Sequence, residues 1–132
     1  MKSKILAGLL MTAWGLSLAV TPGFAHHGTG NSYDSTKWAV VTGVVTEYEW
    51  KNPHSGLYLD VKDGKGGIIH YAIEMNSPGV LERSGWTRHS IKVGDTVTAT
   101  VHPSLAGAPI GLCYGCKVEV NGVELSRSPA AN

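Results

Sequence analysis

From Val40 to Trp50 the chain is a run of β-branched and aromatic residues, a composition that fits a pleated, half-buried surface. Gly43 interrupts it, and a bulge or sharp bend is cheap there. Beyond that glycine, strand alternation sends Tyr48 and Trp50 to one face and Glu47 and Glu49 to the other. Leu57, Leu59 and Val61 then alternate with Tyr58, Asp60 and Lys62, which predicts a half-buried second strand. Between the two, Lys51 to Gly56 reads as a loop, because Pro53 cannot donate to a ladder and holds Asn52 out of the helical region. Asp63-Gly64-Lys65-Gly66-Gly67 is a hairpin turn and Ile68 to Glu74 its return strand, completing a three-stranded meander.

The pattern changes at Ser77-Pro78, an N-cap followed by proline at the first helical position, and a short helix is predicted to end near Ser84, ahead of Gly85. About two turns are marginal in isolation, so Val80, Leu81 and Trp86 must hold the segment by packing. Past Gly94-Asp95, Val97, Ala99 and Val101 alternate with Thr96, Thr98 and Thr100, giving a fourth strand. A fifth falls in the Leu112 to Val120 region, and Asn121-Gly122 turns the chain into Val123 to Leu125. Three strands, a short helix, then two strands, with a long bent first strand, is the order of a mainly β, five-stranded OB-fold-like barrel with one helix between strands 3 and 4. A small sandwich is the alternative.

The two ends depart from this alternation. Lys2 and Lys4 precede an uncharged apolar run from Ile5 to Val20, followed by Thr21-Pro22 and then Gly23-Phe24-Ala25, the regional order of a cleavable signal peptide over residues 1–25. The 16-residue run is short for a membrane anchor, which needs ~20. Cleavage leaves 107 of the 132 residues, enough for one core. Residues 26–36 are then expected to form a flexible or loosely docked arm, 37–125 the barrel, and 126–132 a disordered tail. No membrane span is expected after cleavage.

Charge narrows the partners. The signal removes two of the 11 Lys plus Arg, leaving nine against 10 Asp plus Glu. A balance near −1 removes the usual case for a nucleic-acid binder, which needs clustered basic charge. Trp38, Trp50, Trp86, Tyr48 and Tyr58 could form the aromatic platform on which such barrels stack bases, but a domain this small needs them first as core.

Cleavage after Ala25 would give His26 a free α-amine beside its imidazole, a ready copper(II) or zinc(II) fragment, with copper(II) the tighter at equal ligands. A further ligand must come from His27, His54 or His102. The plainer account is that polar residues are common just past a cleavage site. Asn52-Pro53-His54 puts an imidazole on one of the loops that OB-folds use for ligands. A rigid turn in which His54 caps backbone groups explains that motif more simply. His70 shares a strand face with Glu74 and could pair with it or sit at a wet edge, and His89 lies in a polar loop. Asp60, Glu74, Glu82 and Asp95 read as solvated faces or turn residues.

Cys113-Tyr114-Gly115-Cys116 admits a local disulfide, a redox pair or a soft-metal site. Three extended steps of ~3.3 Å would hold the sulfurs too far apart to bond. A disulfide therefore requires a turn at Tyr114-Gly115, and export to an oxidising compartment favours that reading. A thioredoxin-like pair would sit at a helix N-terminus within a βαβ unit, and a haem site would need histidine at Lys117. No G-x-S-x-G, H-E-x-x-H or phosphate loop is present, so nothing marks an enzyme.

Taken together, His26-His27, Thr42-Gly43-Val44-Val45 leading to Trp50, Asn52-Pro53-His54, Ser77-Pro78, Leu81, Arg83, Gly85-Trp86 and Gly94-Asp95 resemble a group of small bacterial exported proteins catalogued as a domain of unknown function. The resemblance spans nearly the whole mature chain. It implies a periplasmic OB-fold-like barrel and no established activity. The sequence departs from that pattern at Gly28, where serine is usual, at Tyr71, where tryptophan is common, and in the Cys113/Cys116 pair.

The leading expectation is a non-enzymatic periplasmic binding module for copper, or zinc, through His26 and His27 with His54 or His102. An accessory module docking on a periplasmic enzyme or envelope partner, without metal, is the alternative, and a thiol-redox protein using Cys113 and Cys116 the third.

Overall fold

The computed structural model describes residues 31–125. Residues 1–30, which include the stretch read as a signal peptide and His26 and His27, and residues 126–132 lie outside the described residues. The strands are β1 (Ala39–Glu49), β2 (Gly56–Lys62), β3 (Ile68–Met75), β4 (Thr96–Pro103), β5 (Ile110–Cys113), β6 (Val118–Val120) and β7 (Val123–Glu124), with one helix, α1 (Pro78–Glu82), between β3 and β4. The sheet order β1-β2-β3-β5-β4 closes on itself through the β1–β4 pairing. The chain is thus mainly β, a closed five-stranded barrel with one short helix, as the order of elements predicts.

Closure depends on the length of β1. Its first half pairs with β4, from Ala39↔Val101 to Val44↔Thr96. Its second half pairs with β2, from Val44↔Asp60 to Glu49↔Gly56. The irregularity that lets one strand serve two neighbours lies between Val45 and Glu47, not at Gly43. There the Gly94-Asp95 turn supplies the missing partners: Gly94 N donates to Val45 O and Val45 N to Asp95 O, both at 2.9 Å. Gly43 has a different task. A Cβ there would come within 2.7 Å of Asp60 O and 3.0 Å of Leu59 Cβ, so glycine permits the close approach of β1 and β2.

The alternation predicted for β2 and β4 is realised: Leu57, Leu59, Val97, Ala99 and Val101 are buried, each at most 1 % exposed. Ile73 and Met75 of β3 and Val45 of β1 join the same core. Pro78 occupies the first turn of α1 and Ser77 stands at its N-cap, without a side-chain cap bond. Leu81 and Trp86 are buried in the barrel core, the tertiary packing that so short a helix needs.

The region read as one fifth strand is two, β5 and β6, split by the Cys113–Cys116 turn. The two cysteines stand at disulfide distance, with Cα atoms 5.0 Å apart. Gly115, at φ 71°, supplies the left-handed residue that brings them together. Across the turn, β5 runs parallel to β3 while β6 pairs antiparallel with β4.

Candidate functional site

On a closed barrel, residues in register lie side by side on one face, and here one row carries chemistry. Glu49 of β1 pairs with Gly56 of β2, Gly56 with Glu74 of β3, and Glu74 with Leu112 of β5. A second row, Tyr58, Ala72 and Ile110, lies beside it. Two carboxylates therefore flank a position with no side chain. They and their neighbours Lys51, His54, Tyr58 and Tyr33 line a cleft of about 270 Å³.

His54 arrives on the β1–β2 loop, where the Asn52–Pro53 peptide is cis. Ser55 then enters the ladder: its N donates to Asn76 O and its O accepts from Met75 N. Backbone bonding on the residue after His54 thus fixes where the imidazole emerges. Its Nδ1 lies 2.7 Å from Tyr114 Oη and 3.1 Å from Glu74 Oε1. A carboxylate only accepts, so a bare Nδ1 would aim its lone pair at a negative oxygen. Placing the proton on Nδ1 makes both contacts attractive and leaves the Nε2 lone pair available.

Tyr33 reaches the site from the other side. Residues 31–36 lie against the barrel: Tyr33 bridges Ser104, Asp34 N donates to Pro103 O at 2.8 Å, and Leu105 N to Ser32 O at 3.0 Å. Tyr33 is buried at 8 % exposure and donates its hydroxyl to Glu74 Oε2 at 3.1 Å. Burial first, then the Glu74 charge, raises its phenol well above the ordinary range. The same two causes push the Tyr114 phenol up to about 12. Across the cleft, Glu49 accepts from Lys51 Nζ and, at 2.9 Å, from Tyr58 Oη. Those two bonds, Lys51 first, hold its carboxyl below the usual range.

The other histidines are placed elsewhere. His102 Nδ1 contacts Lys37 O at 2.8 Å and its ring lies tilted against Trp38, centroids 3.8 Å apart, so it and His54 hang on different partners. His70 pairs with Asp60 at 2.7 Å, not with Glu74, because the β2–β3 register sets those two residues opposite each other. Glu74, read from sequence as a solvated carboxylate, instead joins His54 to Tyr33. Among the described residues, no three His, Cys, Asp or Glu side chains converge as a metal site. Of the aromatics, Trp86 is core, Tyr48 and Trp50 pack partly buried against it, and Trp38 is half exposed.

The model of a family described as Family of unknown function (DUF6152) matches residues 15–113. No curated protein and no solved structure matches the chain.

Proposed function

Because the chain belongs to this family of unknown function, whose description assigns no activity, we propose from the geometry that it is an exported, periplasmic, non-enzymatic binding module that takes copper(II) at His54 together with the mature amino terminus. The observation that carries the reading is the double contact on His54 Nδ1. Metal-ligating histidines usually give their second ring nitrogen to a carboxylate or similar acceptor, which fixes the tautomer and raises ligand basicity. Glu74 and Tyr114 are such acceptors. His54 alone is one ligand, and the rest come from His26 and His27.

The position of Tyr33 supports that combination. One Glu74 carboxylate holds Tyr33 on one oxygen and His54 on the other. Five residues stand between His27 and Tyr33, and those six chain steps span at most roughly 20 Å. A tether of that length would allow the amino-terminal amine and imidazoles to approach His54 Nε2. Imidazole and amine nitrogens suit copper(II), and at equal ligands it outcompetes zinc.

The test is a copper(II) titration of protein that begins at His26. One equivalent is expected to bind, His54→Ala to weaken it, and one added residue before His26 to abolish it. Undiminished binding by the extended protein would overturn the proposal.

A further inference from the structure

The cleft over Gly56 shares Glu74 and Tyr33 with the copper reading and adds groups that reading does not use, Glu49, Lys51 and Tyr58. Its floor is a backbone position: a Cβ on Gly56 would stand 3.1 Å from both Glu49 Oε2 and the Tyr58 ring. Any larger residue there would fill the space between the carboxylates. The walls carry two carboxylates, Glu49 and Glu74, against one ammonium, Lys51, with phenol hydroxyls donated to both acids. Each carboxylate is thus oriented by a tyrosine. Ser55, 1 % exposed, also lines the cleft, and its Oγ has no hydrogen-bond partner.

We infer that this cleft is a binding site for a primary alkylammonium group, either a small free amine or a lysine side chain presented by a peptide. Three observations select that class. The lining carries a net formal charge of −1 from its carboxylates and lysine, which repels an anion. The acids flank Gly56 two strand spacings apart, roughly 10 Å between Cα atoms, and they do not converge with a third ligand on one point; a bare metal ion needs such convergence and an extended organic cation does not. Finally, the chain already places an ammonium here. Lys51 Nζ sits on Glu49 Oε1, with its side chain 59 % exposed and free to swing away. It marks the kind of group this wall accepts, and it yields to a ligand at small cost because exposed ion pairs are weak. The cavity of about 270 Å³ lies just below the ~300–1,000 Å³ of pockets that hold drug-sized molecules, so the occupant is small or is a single side chain.

The experiment uses the signal-cleaved protein freed of metal with a chelator, so that it stands apart from the copper reading. Backbone amide NMR follows titrations with n-butylammonium chloride, n-butanol and the capped tripeptide acetyl-Gly-Lys-Gly-amide. Saturable shifts confined to Lys51, Gly56, Tyr58 and Glu74 are expected with the amine, with the peptide or with both, and not with butanol. The stronger of the two names the source. Glu49→Gln is expected to weaken binding about tenfold, as loss of a charge-assisted hydrogen bond does. Lys51→Ala is expected to tighten it two- to fivefold, roughly the worth of an exposed ion pair. Equal shifts with butanol and butylammonium would overturn the inference, as would shifts spread evenly over all surface carboxylates or an unchanged affinity in Glu49→Gln. Glu49→Gln keeps the side-chain shape and Lys51→Ala shortens an exposed side chain, and the amide spectra of both report retention of the fold.

Discussion

Tyr114 Oη lies 2.7 Å from His54 Nδ1, and the two residues come from opposite ends of the barrel sequence, 60 positions apart. The Cys113–Cys116 turn presents the phenol, and the Asn52-Pro53-His54 loop presents the imidazole. A pair of residues that each looks local in sequence thus forms one unit with Glu74. Glu74→Gln leaves one accepting oxygen for two donors; with that oxygen kept by the Tyr33 hydroxyl, the amide nitrogen faces Nδ1 and the imidazole proton should move to Nε2. Ring nitrogen NMR shifts report that tautomer directly, and copper(II) affinity is expected to fall about 10- to 100-fold. Tyr114→Phe leaves Glu74 in place and should cost less. A proton found on Nε2 in the unaltered protein would refute the assignment.

The turn that carries Tyr114 should also matter for stability. Read as a disulfide, Cys113–Cys116 closes a short loop, for which chain entropy gives roughly 2 kcal/mol. Urea denaturation of the Cys113→Ala/Cys116→Ala protein is expected to show a loss of at least that size. Both side chains are buried, so the loss of packing adds to it.

Gly43→Ala tests the closure of the barrel. Its new Cβ would meet the Asp60 carbonyl at 2.7 Å, and backbone cannot step aside as a side-chain end can. A destabilisation of about 1–3 kcal/mol, the usual range for overpacking, is expected in the same assay. A neutral result would mean that β1 and β2 separate more easily than their register implies.

Trp86→Ala probes whether α1 is held by tertiary contact. Trp86 is 2 % exposed within the core cluster, and removal of a buried tryptophan costs about 3–5 kcal/mol. Amide exchange should accelerate from residue 78 to 86 before it does in β2 or β4.

Alkaline pH gives a further check. Burial, then the Glu74 charge, pushes the Tyr114 phenol up to about 12, whereas an unfolded tyrosine titrates near ~10. Between those values the folded chain holds a proton that the unfolded chain has released. This contribution is therefore complete below about pH 10 and is lost as pH rises toward about 12. Tyrosinate absorbance should show phenols ionising late, and Tyr114→Phe should flatten the decline in denaturation midpoint over that window.

The strands were legible in the sequence where one face is buried and the other wet. Leu57, Leu59 and Val61 against Tyr58, Asp60 and Lys62 declare β2 without ambiguity, and Ser77-Pro78 declares the start of α1. The bulge was misplaced because its signal is a hydrogen-bond exchange with Gly94-Asp95, a partnership between segments far apart in sequence. The site was legible only in part. The His54 loop could be named, but Glu49, Glu74 and Gly56 meet through register across three strands, and nothing local in the sequence expresses that. Tyr33 was missed as an anchor because one aromatic among Gly, Ser and Asn has no periodicity. Its single bulky ring in a polar stretch was the available clue.

The antiparallel bridge from Tyr33 to Ser104 also changes how binding responds to dilution. A ligand group on a five-residue tether meets its partner at an effective concentration in the millimolar range, whatever the protein concentration. A copper site assembled from His54 and the amino terminus would therefore form within one molecule, with the same affinity in a sparse compartment as in a crowded one. Cutting the tether between His27 and Tyr33 would turn it into an ordinary bimolecular encounter.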